Sequence, residues 1–191
     1  MGGFFGPVSS AAVSSAPLVV ARDTQASAVA LGTGANQTLA TLTLPVLPPK
    51  ASFRVTVGLS WFTATGQSVT IGSTLTDHAA NTLICNCAVA GFKAGSPFYG
   101  GGSYEAVYQD LGITPPNTPN GQIAHGKVAM HNPPYNSALA TVVSVAASQN
   151  SAVSTLDLTQ SSTLTVYWNA ALLSSGGGDY FYTIVELLNA A

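Results

Sequence analysis

The run 163–168, Thr-Leu-Thr-Val-Tyr-Trp, alternates polar and apolar residues. Leu164, Val166 and Trp168 share one side, and Thr163, Thr165 and Tyr167 the other. A period of two, built from β-branched and aromatic residues, predicts a β-strand. A connection over 171–179 follows and carries three consecutive glycines, which a turn tolerates and a helix does not. The run 180–188 then places Phe181, Val185 and Leu187 on one face and Tyr182, Ile184 and Leu188 on the other. A strand that is apolar on both faces is covered on both. One cover is the domain's own core; the other is a second sheet or another copy of the chain.

The same pattern recurs upstream. Residues 37–47 alternate until Pro45, Pro48 and Pro49 end the strand. Over 52–63, Phe53, Val55, Val57, Leu59 and Trp61 face one way, and Arg54, Thr56 and Ser60 the other. A turn at 65–67 leads to strands at 68–75 and 81–90 around the loop 76–80. Alternation returns at 138–147, followed by a polar turn at 148–154 and a short strand at 155–158. Two stretches break the pattern. Residues 1–35 are Gly, Ala, Ser and Val without a clean period, and read as an extended arm with a short strand near 17–20. The arm's apolar residues, Phe4 and Phe5 among them, give it a reason to dock on a neighbour. Residues 91–136 hold six of the eleven prolines and read as a long loop region with short strands near 106–108 and 126–131. Tyr99, Tyr104, Tyr108 and Tyr135 decorate it, either as a ligand-contacting surface or as a cap on the core. Seven to nine short strands with Gly, Pro and Asn turns predict an all-β domain. Loops longer than hairpins favour Greek-key crossing over a simple meander, in a sandwich or barrel over 36–191 that follows the N-terminal arm 1–35.

Composition narrows the function. Of 191 residues only 6% are charged, with five basic and seven acidic side chains and a net charge of −2. Soluble domains average about 25% charged residues, and interface cores are depleted in charge. A surface that lies largely against other subunits is therefore expected. The five cations, Arg22, Lys50, Arg54, Lys93 and Lys127, are scattered, which argues against nucleic acid as a partner. No apolar stretch reaches the ~18 residues of a membrane helix. The N-terminal stretch lacks a basic region before its apolar residues, so an unprocessed cytosolic product is expected, although an export route that leaves no leader would look identical.

Candidate chemistry is sparse. Cys85 and Cys87 form a C-x-C in a predicted strand, where i and i+2 sit about 6.5 Å apart on one face. That is the far end of disulfide reach, and two thiols cannot make a Cys-only zinc site, so they read as small buried hydrophobes. His78, His125 and His131 show no metal-site spacing; His125 with His131 would be the favoured pair. Neither a G-x-S-x-G elbow nor a phosphate-binding glycine motif occurs. Asp23, Asp77, Glu105, Asp110, Asp157, Asp179 and Glu186 are too dispersed to read as a catalytic carboxylate pair. Asn36-Gln37-Thr38 fits a glycosylation acceptor without a secretory context. The expectation is a protein that is not an enzyme, without catalytic residues, metal or cofactor.

The ending T-L-T-V-Y-W…G-G-G-D-Y-F-Y-T-I-V-E-L-L resembles the last two strands of trimeric jelly rolls in phage head and tail proteins and in tumour-necrosis-factor-like domains. In that group the final strand often places aromatics near a threefold axis. The resemblance implies that Tyr180 and Tyr182, or Phe181, with Ile184 beside them, sit at a subunit contact. It implies a jelly-roll (Greek-key) β-sandwich, with an immunoglobulin-like sandwich as the alternative. It also implies a structural virion component, a capsid subunit or decoration protein of a bacteriophage head. Its partners would be itself, as a trimer or higher oligomer, and other virion proteins, after assembly in the host cytoplasm. The alternative is a receptor- or carbohydrate-binding head domain whose binding face is the tyrosine-rich loop.

Overall fold

The computed structural model describes residues 18–48, 50–63, 68–90, 98–110, 122–131, 149–154, 156–170 and 176–189. Phe4, Phe5, Tyr135 and the predicted strand 138–147 lie outside them. The described residues form ten strands: β1 Leu18–Leu31, β2 Gln37–Leu44, β3 Ser52–Thr63, β4 Ser68–Thr76, β5 Thr82–Ala90, β6 Phe98–Asp110, β7 Gln122–His131, β8 Gln149–Ser154, β9 Ser162–Asn169 and β10 Gly176–Asn189. They build a six-stranded sheet, β1-β10-β3-β6-β7-β8, and a four-stranded sheet, β2-β9-β4-β5.

The pairing is nested. β4 pairs with β5, β3 with β6, β2 with β9 and β1 with β10, all antiparallel. This is one long hairpin, tip at β4–β5, wrapped so that successive rungs fall alternately in the two sheets. The result is the eight-stranded jelly roll, with β7 and β8 extending the larger sheet beyond β6. Nested pairing excludes the immunoglobulin-like alternative, whose order places other strands side by side.

Alternation explains the core. Phe53, Val55, Val57 and Leu59 of β3 are buried, as are Leu164, Val166 and Trp168 of β9, Val69, Ile71 and Leu75 of β4, and Leu83, Cys85 and Cys87 of β5. Trp168 is fully buried, and its Nε1–H donates to the Gly32 carbonyl at 2.9 Å, closing the β1–β2 turn over the end of β9. Outward-facing glycines are roofed by tyrosine rings from the neighbouring strand. Gly72 of β4 lies opposite Tyr167 of β9, and Gly58 of β3 opposite Tyr182 of β10. A Cβ on Gly72 would meet the Tyr167 ring at 2.5 Å, so the ring lies flat across the sheet only because glycine is there.

Several sequence expectations change. Residues 18–31 of the presumed arm are the fourteen-residue strand β1, paired along β10 at the sheet edge. Two irregularities, between Val19 and Ala21 and between Thr24 and Val29, break its period and hide it from pattern reading. The presumed long loop 91–136 contains β6 and β7, thirteen and ten residues long. The glycines of 176–178 belong to β10 and pair with Thr63, Phe62 and Trp61, where a turn was expected. β8 occupies 149–154, within the expected turn 148–154, and 156–158 are loop where the short strand 155–158 is expected.

Candidate interaction surface

β10 sits between β1 and β3, so its alternation decides what the six-stranded sheet presents outward. The β3 partner shifts between Tyr180 and Tyr182, leaving Phe181 as a bulge residue. The extra residue reverses the phase. Tyr180 points inward and is fully buried, Thr183 and Val185 are buried, and Tyr182, Ile184 and Glu186 are half-buried on the outer face. Phe181 is 41% exposed. The bulge therefore corrects the expectation for Tyr180. Its hydroxyl donates to Asp23 Oδ2 at 2.7 Å and lies 2.9 Å from Thr183 Oγ1, inside the domain. Burial pushes the Tyr180 phenol well above its ordinary pKa.

On the outer side, Ile184 meets Val19, Val20, Ala21 and Arg22 of β1 in a shallow, open groove of about 410 Å³. The exposed apolar residues Val19 and Leu188 extend this surface at the same end, while Leu18, also exposed, pairs with Leu187 on the sheet's inner side. Beside it the face is charged: Arg54 Nη2 lies 2.8 Å from Glu186 Oε2, and Lys127 Nζ lies 3.0 Å from Glu105 Oε2. Of the expected contact residues, Phe181, Tyr182 and Ile184 reach the outer face. β1, which adds the other wall of the groove, shows in the sequence only as the short strand near 17–20, because its bulges erase the alternation beyond it.

Two of the four tyrosines weighed between a ligand surface and a cap on the core belong to the core. Tyr104 and Tyr108 are buried core residues of β6. Tyr108 stacks on Phe53, with ring centroids 5.0 Å apart and planes 9° apart. Both hydroxyls cross the core to the other sheet. Tyr104 donates to the Cys85 carbonyl at 2.7 Å and Tyr108 to the Ser73 carbonyl at 3.0 Å. Ser73 Oγ lies 2.9 and 2.7 Å from the two phenol oxygens. This fully buried network satisfies each group and joins the sheets, and burial raises both phenols well above their ordinary pKa. Ring-plus-hydroxyl residues were needed here to span the core, which is why they belong to no ligand surface. Tyr99 lies on β6 opposite Phe62.

Titratable groups outside these networks serve the fold. Burial pushes the Cys85 thiol up to about 11, which keeps it protonated and a poor nucleophile near neutrality. Asp77, buried at the β4–β5 turn, accepts from the Ala79 and Asn81 amides, the Asn81 side chain and the Asp157 amide of the β8–β9 loop, at 2.8–2.9 Å. Burial alone would raise its pKa; these bonds outweigh it and hold the carboxyl below the ordinary value. His78 Nδ1 lies 3.7 Å from Asp157 Oδ2 in the open, and His125 and His131 lie six residues apart on β7. Among the described residues no three His, Cys, Asp or Glu side chains group as metal ligands, and no helix is long and apolar enough to cross a membrane.

No family model matches the chain, and no curated protein matches it. Among solved structures, the CBM2 module of the evolved Dit of Lactobacillus casei BL23 phage J-1 is similar at 8% sequence identity and a TM-score of 0.40, over 79% of this chain and 70% of that one.

Proposed function

We propose that the protein is a structural subunit of a bacteriophage particle, a capsid or decoration subunit of the head, that works by packing against copies of itself and other virion proteins. The observation that carries this reading is the β1–β10 edge. There Val19 and Leu188 stand exposed by the Ile184 groove, with Leu18 exposed at the strand's start and Phe181 at the β10 bulge, in a chain with only 6% charged residues. A surface of that kind is costly in water and useful in an assembly. The jelly roll is an architecture that capsid subunits use, and lectins use it too. A carbohydrate-binding reading loses its aromatic platform at Tyr104 and Tyr108, which are core.

Light scattering on size-fractionated protein, with electron microscopy of the same fractions, tests the proposal. A trimer or larger species is expected, and Ile184→Lys should shift it to smaller species without loss of the β-sheet circular dichroism signal. A wild-type protein that is strictly monomeric and does not associate with virus particles would sink the reading.

A further inference from the structure

The strands of the four-stranded sheet contain no Asp, Glu, Lys or Arg: β2 is QTLATLTL, β4 SVTIGSTLT, β5 TLICNCAVA and β9 STLTVYWN. The six-stranded sheet, in contrast, holds Arg22, Asp23, Arg54, Glu105, Asp110, Lys127, Asp179 and Glu186. Charge is thus segregated between the two layers of one sandwich.

The neutral layer's outer face is an ordered array. Three strands carry Thr-Leu-Thr with the leucine in the core: Leu42 half-buried, Leu75 and Leu164 fully buried. The pairing registers align them. Thr43, Thr163, Thr76 and Thr82 form one row across all four strands. Thr41, Thr165, Thr74 and Ile84 form the next, and Ile84 is 41% exposed. In the third row the Tyr167 ring lies over Gly72 and its hydroxyl is hydrogen-bonded to the Asn86 side chain, which keeps the relief low.

We propose that this threonine face is the contact surface for the same face of a second copy, related by a two-fold axis. The proposal deepens the assembly reading above and rests on it. Three arguments select this occupant. A neutral face is buried without stripping water from a charge, whereas the other sheet's outer face holds its ion pairs in solvent. A threonine hydroxyl both donates and accepts, so the array complements itself, as a two-fold contact requires. A sheet also carries a right-handed twist, so its face mates with another sheet of the same twist at about −30° and departs from any flat lattice. Four strands at ~4.8 Å and eight residues at ~3.4 Å give a footprint of roughly 500 Å² per copy, enough for a modest specific contact.

The test compares wild type, Thr165→Lys and Ile184→Lys by analytical ultracentrifugation. It adds bismaleimide cross-linking of Thr165→Cys and Thr74→Cys in the full chain, where the native thiols are buried. The expected result is a dimer that Thr165→Lys weakens at least about a hundredfold, as an unpaired buried ammonium demands. Ile184→Lys should keep that dimer while losing larger species, and the cysteine variants should link as pairs. If Thr165→Lys fails to fold, the cross-link decides: linked pairs support the contact, and their absence overturns it. Wild type that assembles, with Thr165→Lys unchanged and no cross-link, overturns the contact and leaves the assembly reading standing. A monomer that uses this face only to attach to particles also overturns it, by making a different virion protein the occupant. A monomer that attaches to nothing removes both.

Discussion

The residue that best shows how this core is made is Tyr104. Its ring fills space in one sheet, and its hydroxyl satisfies a carbonyl in the other. Tyr104→Phe keeps the ring but removes the donor to the buried Cys85 carbonyl and a hydroxyl from the Ser73 network. The expected cost is about 1–3 kcal/mol in chemical denaturation, with an unchanged m-value. A loss under about 0.5 kcal/mol would mean that the carbonyl finds another donor. Pattern alone leaves open whether this tyrosine faces a ligand or the core. Both uses draw on the same amphipathic side chain, and only its place opposite Ser73 and Cys85 separates them. Residue type alone carried the alternation of Phe53 to Leu59, because their rungs with β6 and β10 run regularly there up to the bulge at Phe181.

At the scale of the element, what was legible depended on bulges. β2, β3, β4, β5, β9 and much of β10 were visible as period-two runs. β1 shows only at its start, near 17–20, since its two irregularities shift phase within fourteen residues. β6 was nearly invisible because its inward residues, Tyr104, Ala106 and Tyr108, alternate with other residues of mixed polarity. β7 hides a further device. Gly126 faces β5, and a Cβ there would lie 2.7 Å from Cys85 Sγ and 3.1 Å from Cys87 Sγ. The sheets approach this closely because a glycine and two small thiols oppose each other. Gly126→Ala is expected to destabilise by roughly 1–3 kcal/mol through overpacking, measured by thermal or urea unfolding. Cys85→Ala in the same chain should recover part of that loss, and strict additivity of the two changes would show that they do not meet.

For the whole molecule, the Asp77 hub ties the hairpin tip at β4–β5 to the loop that enters β9. Its folded pKa is lowered, so its contribution is fully present above the unfolded value, near 3.8, and is lost as pH falls through the lower folded value. Stability should therefore hold between neutrality and about pH 5 as far as this group is concerned, then decline with acid. Asp77→Asn should flatten part of that decline in urea titrations across pH; an identical acid limb in both proteins would place the sensitivity elsewhere.

Nested pairing also sets an order of events. β1, at Leu18–Leu31, closes only on β10, at Gly176–Asn189, so the first described strand to be synthesised has its partner in the last. Closing a loop between strands so far apart in sequence is the entropically costliest pairing of this topology, while the β4–β5 tip forms locally. Until the ribosome releases β10, the edge strand stays unpaired and its groove does not exist. Synthesis of β10 is thus the checkpoint for this edge, and nascent chains that lack it cannot present the groove.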